Sequence, residues 1–206
     1  MKIRNFLILT LVMLYFTSCR SQNSEKENVY DRSLRELAED RRSIRRYSDE
    51  PVSHEQIEKI LKTAALAPSS YGQNPVEFVV VEDKETIQKL AECKKIGAPS
   101  VRNAPVAIVI MADTSKGELW VEDTSVAAAY LMLAAEDEGL GACWNQIHLR
   151  DGQRERASLE ICELLGIPKK YEVLCVMSLG HKGEDKKPRS ADEMSRGRIH
   201  YSKFKH

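Results

Sequence analysis

EDTSVAAAYLMLAAEDE, residues 122–138, is the stretch on which the fold of this chain turns. It is rich in Ala and Leu, begins with acids where a helix dipole favours negative charge, and is closed by Gly139. Its apolar positions cover more than a narrow stripe, which predicts a central helix buried by its neighbours. Working outward, the apolar, β-rich runs at 76–82, 105–112 and 172–179 read as buried strands, and 141–147 as a strand or an extended loop. Helical spacing recurs at 31–40 through Leu34, Leu37 and Ala38, and at 84–93 through Ile87, Leu90 and Ala91. A further helix is expected over 151–165, ended by Gly166 and Pro168. Ser53-His54-Glu55-Gln56 reads as a capping box ahead of Ile57, Ile60, Leu61, Ala64 and Ala65 on one helical face, and Pro68 stops that helix. The alternation is uneven and no internal repeat is visible. An α+β sandwich of helices around a small sheet fits better than a doubly wound fold.

The chain has 206 residues, enough for one domain with a real core, and 42% hydrophobic content is ordinary for a globular protein. With 31 basic and 31 acidic residues the formal charge is zero, so the bulk balance points to no nucleic acid. Basic residues cluster only locally, at 41–46 and 182–189. In Arg41-Arg42-Ser43-Ile44-Arg45-Arg46, four guanidinium groups in six residues are costly to crowd unless solvent or an anion answers them. A solvated face is the plain reading of each run; a phosphate-bearing ligand is the other. A small-residue loop, Ala67-Pro68-Ser69-Ser70-Tyr71-Gly72, follows the helix that begins after the arginines.

The N-terminus is read separately. Lys2 and Arg4 precede an apolar run, 6–16, that is short for a membrane span but suits a signal-peptide core. Phe16-Thr17-Ser18-Cys19 resembles a bacterial lipoprotein box, with Phe16 where Leu is usual; an uncleaved anchor or ordinary secretion are the alternatives. The expected organisation is a signal peptide over 1–19, a polar tether over 20–29 and a folded domain over 30–206, placing the protein in a bacterial cell envelope. Membrane contact is expected only through a lipid on Cys19.

Cys93, Cys143, Cys162 and Cys175 lie in apolar contexts without zinc or redox spacing, and read as small buried hydrophobes; no metal site is expected. The histidines, His54, His148, His181, His200 and His206, stand beside no nucleophile motif and read as exposed. No phosphate loop or dinucleotide glycine fingerprint is present. An enzyme built from these parts would borrow its reactive group from a cofactor.

Four blocks in order resemble the FMN-dependent nitroreductase family. They are Arg41-Arg42-Ser43-Ile44-Arg45; Ala67-Pro68-Ser69-Ser70 with the loop to Pro75; the 122–138 helix with Gly139-Leu140-Gly141-Ala142-Cys143-Trp144; and Lys187-Pro188-Arg189 after Leu179-Gly180. The resemblance implies a three-layer sandwich with a central, mostly antiparallel sheet, and a homodimer holding FMN at its interface. It implies that Arg41, Ser43, Lys187 and Arg189 hold the FMN phosphate, with Arg42 beside them, since forked guanidinium groups suit phosphate oxygens. Arg45 would approach the pyrimidine end of the flavin and stabilise negative charge there. Pro68, Ser69 and Ser70 would reach the other subunit's flavin. Gly72 departs from the usual loop and has no side chain to hydrogen-bond with, so Gln73 or Asn74 supplies that polar group or the loop does without it. Trp144, Asn145 and Gln146 would lie along the ring, a more polar set than in many relatives. No side chain is expected to act as acid or base. The implied activity is ping-pong hydride transfer from NAD(P)H through FMN to a nitroaromatic, quinone or similar acceptor. A dehalogenating or flavin-modifying relative, and an exported flavin-binding protein without nicotinamide turnover, are the alternatives.

Overall fold

The computed structural model describes residues 32–204. The expected signal peptide, Cys19 and tether, and His206, lie outside the described residues. Among the described residues, no helix is long and apolar enough to cross a membrane.

In chain order the elements are α1 (Leu34–Asp40), α2 (His54–Ala65), β1 (Val76–Val81), α3 (Lys84–Glu92), α4 (Pro99–Arg102), β2 (Val106–Asp113), α5 (Trp120–Asp137), β3 (Leu140–Gln146), α6 (Ala157–Leu165), β4 (Tyr171–His181) and α7 (Ala191–Ser195). The four strands form one sheet in the order β1-β2-β4-β3, every pair antiparallel. Side chains alternate across β2, as a pleated strand requires. Val106, Ile108 and Ile110 pack with α2 and α5, whereas Ala107, Val109 and Met111 pack with α3, α4 and α6. The result is the expected α+β sandwich, helices on both faces of a sheet.

β2 is buried along its whole length, and α5 buries Thr124, Ala127, Ala128, Leu131, Ala134 and Ala135. The expected central helix is therefore present, two residues longer at its start, and Gly139 after it has φ +74, a left-handed value that glycine tolerates. The capping box of α2 is also present: Gln56 N donates to Ser53 Oγ at 3.2 Å, and Ser53 N donates to Gln56 Oε1 at 3.1 Å.

Two expectations need correction. β1 is an edge strand, and Phe78, Val79 and Val80 are only half-buried, because a run of apolar residues does not reveal which strand lacks a neighbour. The helix expected from residue 151 starts at Ala157. Glu160 explains the delay: its carboxylate accepts Arg154 N at 2.6 Å and Glu155 N at 3.0 Å, holding those residues in a turn closed by the Asp151–Arg156 bridge.

β4 carries an irregularity that matters for the site. Ile110 pairs with Cys175 and Met111 with Val173, so Leu174 is an extra residue in the ladder. Its freed carbonyl accepts Ile147 N and His148 N, both at 3.0 Å, and thereby fixes the chain just past β3.

Candidate functional site

After α1 the chain runs extended along the edge of the sheet. Ser43 bridges Ala142 of β3 in parallel, and Tyr47 bridges Lys182 beyond β4. Ile44 N donates to Ala142 O at 3.1 Å and Ser48 N to His181 O at 3.0 Å. Glycine makes the approach possible: a Cβ on Gly141 would lie 2.7 Å from the Ile44 side chain. Ile44 is buried there, and the Tyr47 hydroxyl lies 2.8 Å from both Ile44 O and Ser178 Oγ.

The C-terminal basic run is fastened to the same segment. Arg42 donates to the Lys187 carbonyl and Lys186 to the Ser43 carbonyl, while Arg189 N donates to Glu39 O at 2.8 Å. The structure thus brings together Arg41, Arg42, Ser43, Lys187 and Arg189, blocks separated by more than 140 residues in sequence. Burial, then the neighbouring Arg189 and Arg42 charges, push Arg41 below the ordinary guanidinium value, with Glu136 and Cys143 acting the other way. Like charges close enough to perturb one another define an arginine pole, with carboxylates also nearby at Asp40, Glu136, Glu184 and Asp185. A cleft of about 290 Å³ opens beside it, bounded by Arg42, Glu136, Lys182, Glu184 and Lys186 among others.

The small-residue loop forms a second, different pole. Ser70 N and Ser70 Oγ both donate to Asp123 Oδ1 at 2.8 Å, and Asp123 is only 7% exposed. Asn74 N donates to Ser69 Oγ at 2.9 Å, Ser69 Oγ donates to Asn74 Oδ1 at 3.1 Å, and Asn74 Nδ2 donates to Gly72 O at 3.1 Å. The Ser69, Ser70 and Asn74 side chains are thereby held within the protomer, while Tyr71 and Gln73 are exposed. With its proton directed at Asp123, the Ser70 hydroxyl can offer a ligand only lone pairs. Pro68 and Ser69 line a cleft of about 190 Å³ with Phe78 and Ala127.

Asp123 and Glu136 mark the two ends of α5, and 13 residues of helix place them about 20 Å apart. Strand β3 spans the same gap in the opposite direction. Near its start Ala142 lies beside Ser43, and past its end His148 packs edge-on against Trp120 of α5, ring centroids 4.8 Å apart. On it, Trp144 packs with the α2 and α5 core and donates Nε1–H to Gln146 Oε1 at 2.8 Å. Asn145 faces the opposite side of the sheet and is buried. Its Oδ1 accepts Ser100 Oγ–H at 2.6 Å, and its Nδ2 donates to Cys143 O at 3.0 Å and Val176 O at 3.1 Å. The Asn145 side chain therefore braces the strand instead of adding polarity to the Trp144 face.

The histidines divide as well. His54 is exposed, 3.4 Å from Glu58, but His148 and His181 are half-buried. All four described cysteines are free and buried; burial pushes Cys93 up to about 11 and raises Cys162 and Cys175, so the thiols of Cys93, Cys162 and Cys175 stay protonated at neutral pH. Among the described residues no group of three His, Cys, Asp or Glu could hold a metal.

The sequence pattern of the nitroreductase family matches residues 38–99 and 92–181, which take in α2, the Ser69–Ser70 loop, α5 and all four strands. The chain belongs to the nitroreductase family. An FMN-dependent nitroreductase from Clostridium difficile has the same fold, with a TM-score of 0.78 and 42% identity, covering 82% of this chain and 98% of that one. A protein of Archaeoglobus fulgidus, named by inference as an NADH dehydrogenase/NAD(P)H nitroreductase, is 41% identical over 169 residues, covering 80% of this chain and 94% of that one. The FMN reductase [NAD(P)H] of Bacillus subtilis is 31% identical over 177 residues, covering 75% of this chain and 68% of that enzyme.

For this nitroreductase-family chain the matched pattern ends before Lys187 and Arg189, so their place rests on the contacts of Lys187 O with Arg42 and of Arg189 N with Glu39 O. Sequence reading missed Glu184, whose carboxylate accepts Arg45 N at 2.6 Å, and the roles of Asp123 and Glu136. Glu136 is 4% exposed and lies 2.6 Å from Lys182 Nζ and 3.6 Å from an Arg32 nitrogen, at the helix end that disfavours an acid. Only that oddity of charge could have drawn attention to it.

Proposed function

We propose that this protein is an FMN-dependent oxidoreductase that accepts reducing equivalents from NAD(P)H and passes them to a nitroaromatic, quinone or similar acceptor. The observation that carries the reading is the arginine pole. Arg41, Arg42 and Arg189 are crowded together at one end of β3, and a phosphate dianion is the complement of such a donor set. Ser43 and Lys187 supply a hydroxyl and an ammonium group beside them. Arg45 is exposed and adds positive charge next to the cradle, where it would stabilise an anionic ring system. Bound FMN supplies the hydride-accepting and hydride-donating chemistry in a ping-pong cycle. The chain's own residues bind and orient: the half-buried Trp144 and Gln146 give β3 a firm face, and Leu174 O holds the backbone that follows.

The chain acts as a homodimer in this reading. A gap of about 20 Å between the poles supports assigning them to different flavins, one copy's Pro68, Ser69 and Ser70 lying against its partner's cofactor. The N-terminal segment makes the protein an exported one, tethered through Cys19; metabolic labelling with a radioactive fatty acid, abolished by Cys19→Ala, tests this.

The full chain, purified in mild detergent, is expected to be yellow or to take up added FMN. A colourless protein that ignores FMN overturns the reading. Anaerobic NADH or NADPH should then bleach the colour. Persistent colour with both donors overturns the nicotinamide step and favours a flavin carrier.

A further inference from the structure

One carboxylate, Glu184, stands inside the arginine pole, where its charge competes with that of an anionic ligand. Glu184 Oε1 accepts the backbone N–H of Arg45 at 2.6 Å and that of Arg46 at 3.3 Å, and lies 3.1 Å from Lys186 Nζ. Lys186 in turn donates to the Ser43 carbonyl, and the Arg45 guanidinium donates to the same carbonyl at 3.3 Å. Gly183 N donates to Arg46 O at 3.0 Å, completing a ladder between the two segments. A Cβ on Gly183 would lie 2.6 Å from the Tyr47 carbonyl carbon, so the segments touch backbone to backbone. The Glu184 and Lys186 side chains are only 21% and 24% exposed. The Arg45 N–H, and Lys186 with it, hold the Glu184 carboxyl below the usual range against the effect of burial, so it is ionised at neutral pH.

A negative charge inside a cationic cradle repels an anionic ligand, so by Coulomb's law its removal should tighten phosphate binding. Its hydrogen bonds argue the reverse. They fix two consecutive backbone N–H groups in the stretch that carries Ser43 and Arg45, and they do so from the segment that carries Lys187. We propose that Glu184 is a positioning residue for the flavin site, strapping residues 43–46 to residues 183–186 so that the phosphate cradle and Arg45 stand in place before the ligand arrives. The role rests on the FMN reading above.

The two effects predict opposite signs, which makes the test sharp. In full-length protein, Glu184→Ala should weaken FMN binding about tenfold, the scale of one or two charge-assisted bonds. Glu184→Gln keeps an acceptor for the two N–H groups and removes the charge; its affinity should stay within about threefold of the parent or improve. Amide hydrogen exchange of the FMN-free protein gives a readout that needs no flavin. Arg45 and Arg46 should lose protection in the alanine variant and keep it in the glutamine variant. Unchanged exchange at both amides of Glu184→Ala overturns the strap. Loosened amides with unchanged or tighter FMN binding overturn its service to the site. A glutamine variant as weak as alanine overturns the hydrogen-bonding basis. If the unsubstituted protein takes up no FMN, the flavin reading fails and the role with it, while exchange still reports the strap by itself.

Discussion

The two ends of α5 solve the problem of buried polarity in opposite ways. At the N-terminal end, Ser69, Ser70 and Asn74 are satisfied from within, with Asp123 accepting two donors of Ser70 and Asn74 answering Ser69 and Gly72. At the C-terminal end, burial first, and then the charges of Arg189 and Arg42, depress the Arg41 guanidinium. A satisfied loop is stable alone and can serve as a platform. A cluster of like charges is held by the surrounding fold, and in the proposed reading an anionic ligand completes it. The contrast teaches where a ligand's charge belongs, independently of any resemblance.

The strongest challenge to that contrast is Arg41→Ala or Arg189→Ala. Each should weaken FMN by about 1.5–3 kcal/mol, roughly 10- to 150-fold by fluorescence titration, while urea stability stays level or rises as repulsion is relieved. Unchanged FMN affinity in both variants refutes the phosphate assignment. Asp123→Ala should do the reverse: it strips the acceptor from Ser70 N and Ser70 Oγ and should cost about 2 kcal/mol in urea unfolding. A loss of stability from Arg41→Ala as large as this one would erase the distinction between the poles. Gly141→Ala should cost about 1–2 kcal/mol by forcing Ile44 away from β3, and should loosen FMN as well, since Ile44 sits between Ser43 and Arg45. Gly72→Ala, where φ is +68 but a Cβ meets nothing within 4 Å, should cost about 1 kcal/mol of stability from backbone strain and leave FMN affinity nearly untouched. A large loss of affinity there would mean that the loop backbone itself touches the cofactor.

The contrast also separates what a linear reading can and cannot reach. Elements set by local pattern were legible: the α2 capping box through Ser53 and Gln56, the Ala- and Leu-rich α5, and the β-branched β2 all appear within a few residues of expectation. The N-terminal half of the arginine pole was legible because four arginines, including Arg41 and Arg42, fall within six residues. Its assembly was reached only through resemblance, since Lys187 approaches Arg42 across a separation of 145 residues. Features set by sheet order escaped altogether. Nothing in 76–81 reveals an edge strand, and nothing in Asn145 states that its side chain turns inward to Ser100. Glu184 and Asp123 look like ordinary acids until folding brings Arg45 N and Ser70 N to them.

Helix α5 acts as a ruler, and that has a consequence for how such a chain can vary. One residue inserted between Asp123 and Glu136 would swing one end by about 100° relative to the other, carrying Glu136 away from Lys182 or Asp123 away from Ser70. Only additions near a whole number of turns, about 5.4 Å each, would keep both ends in phase, and β3 would have to lengthen in step. Length change is therefore expected to collect in the loops around the sandwich, where substrate range can be altered while the spacing between the poles stays the same.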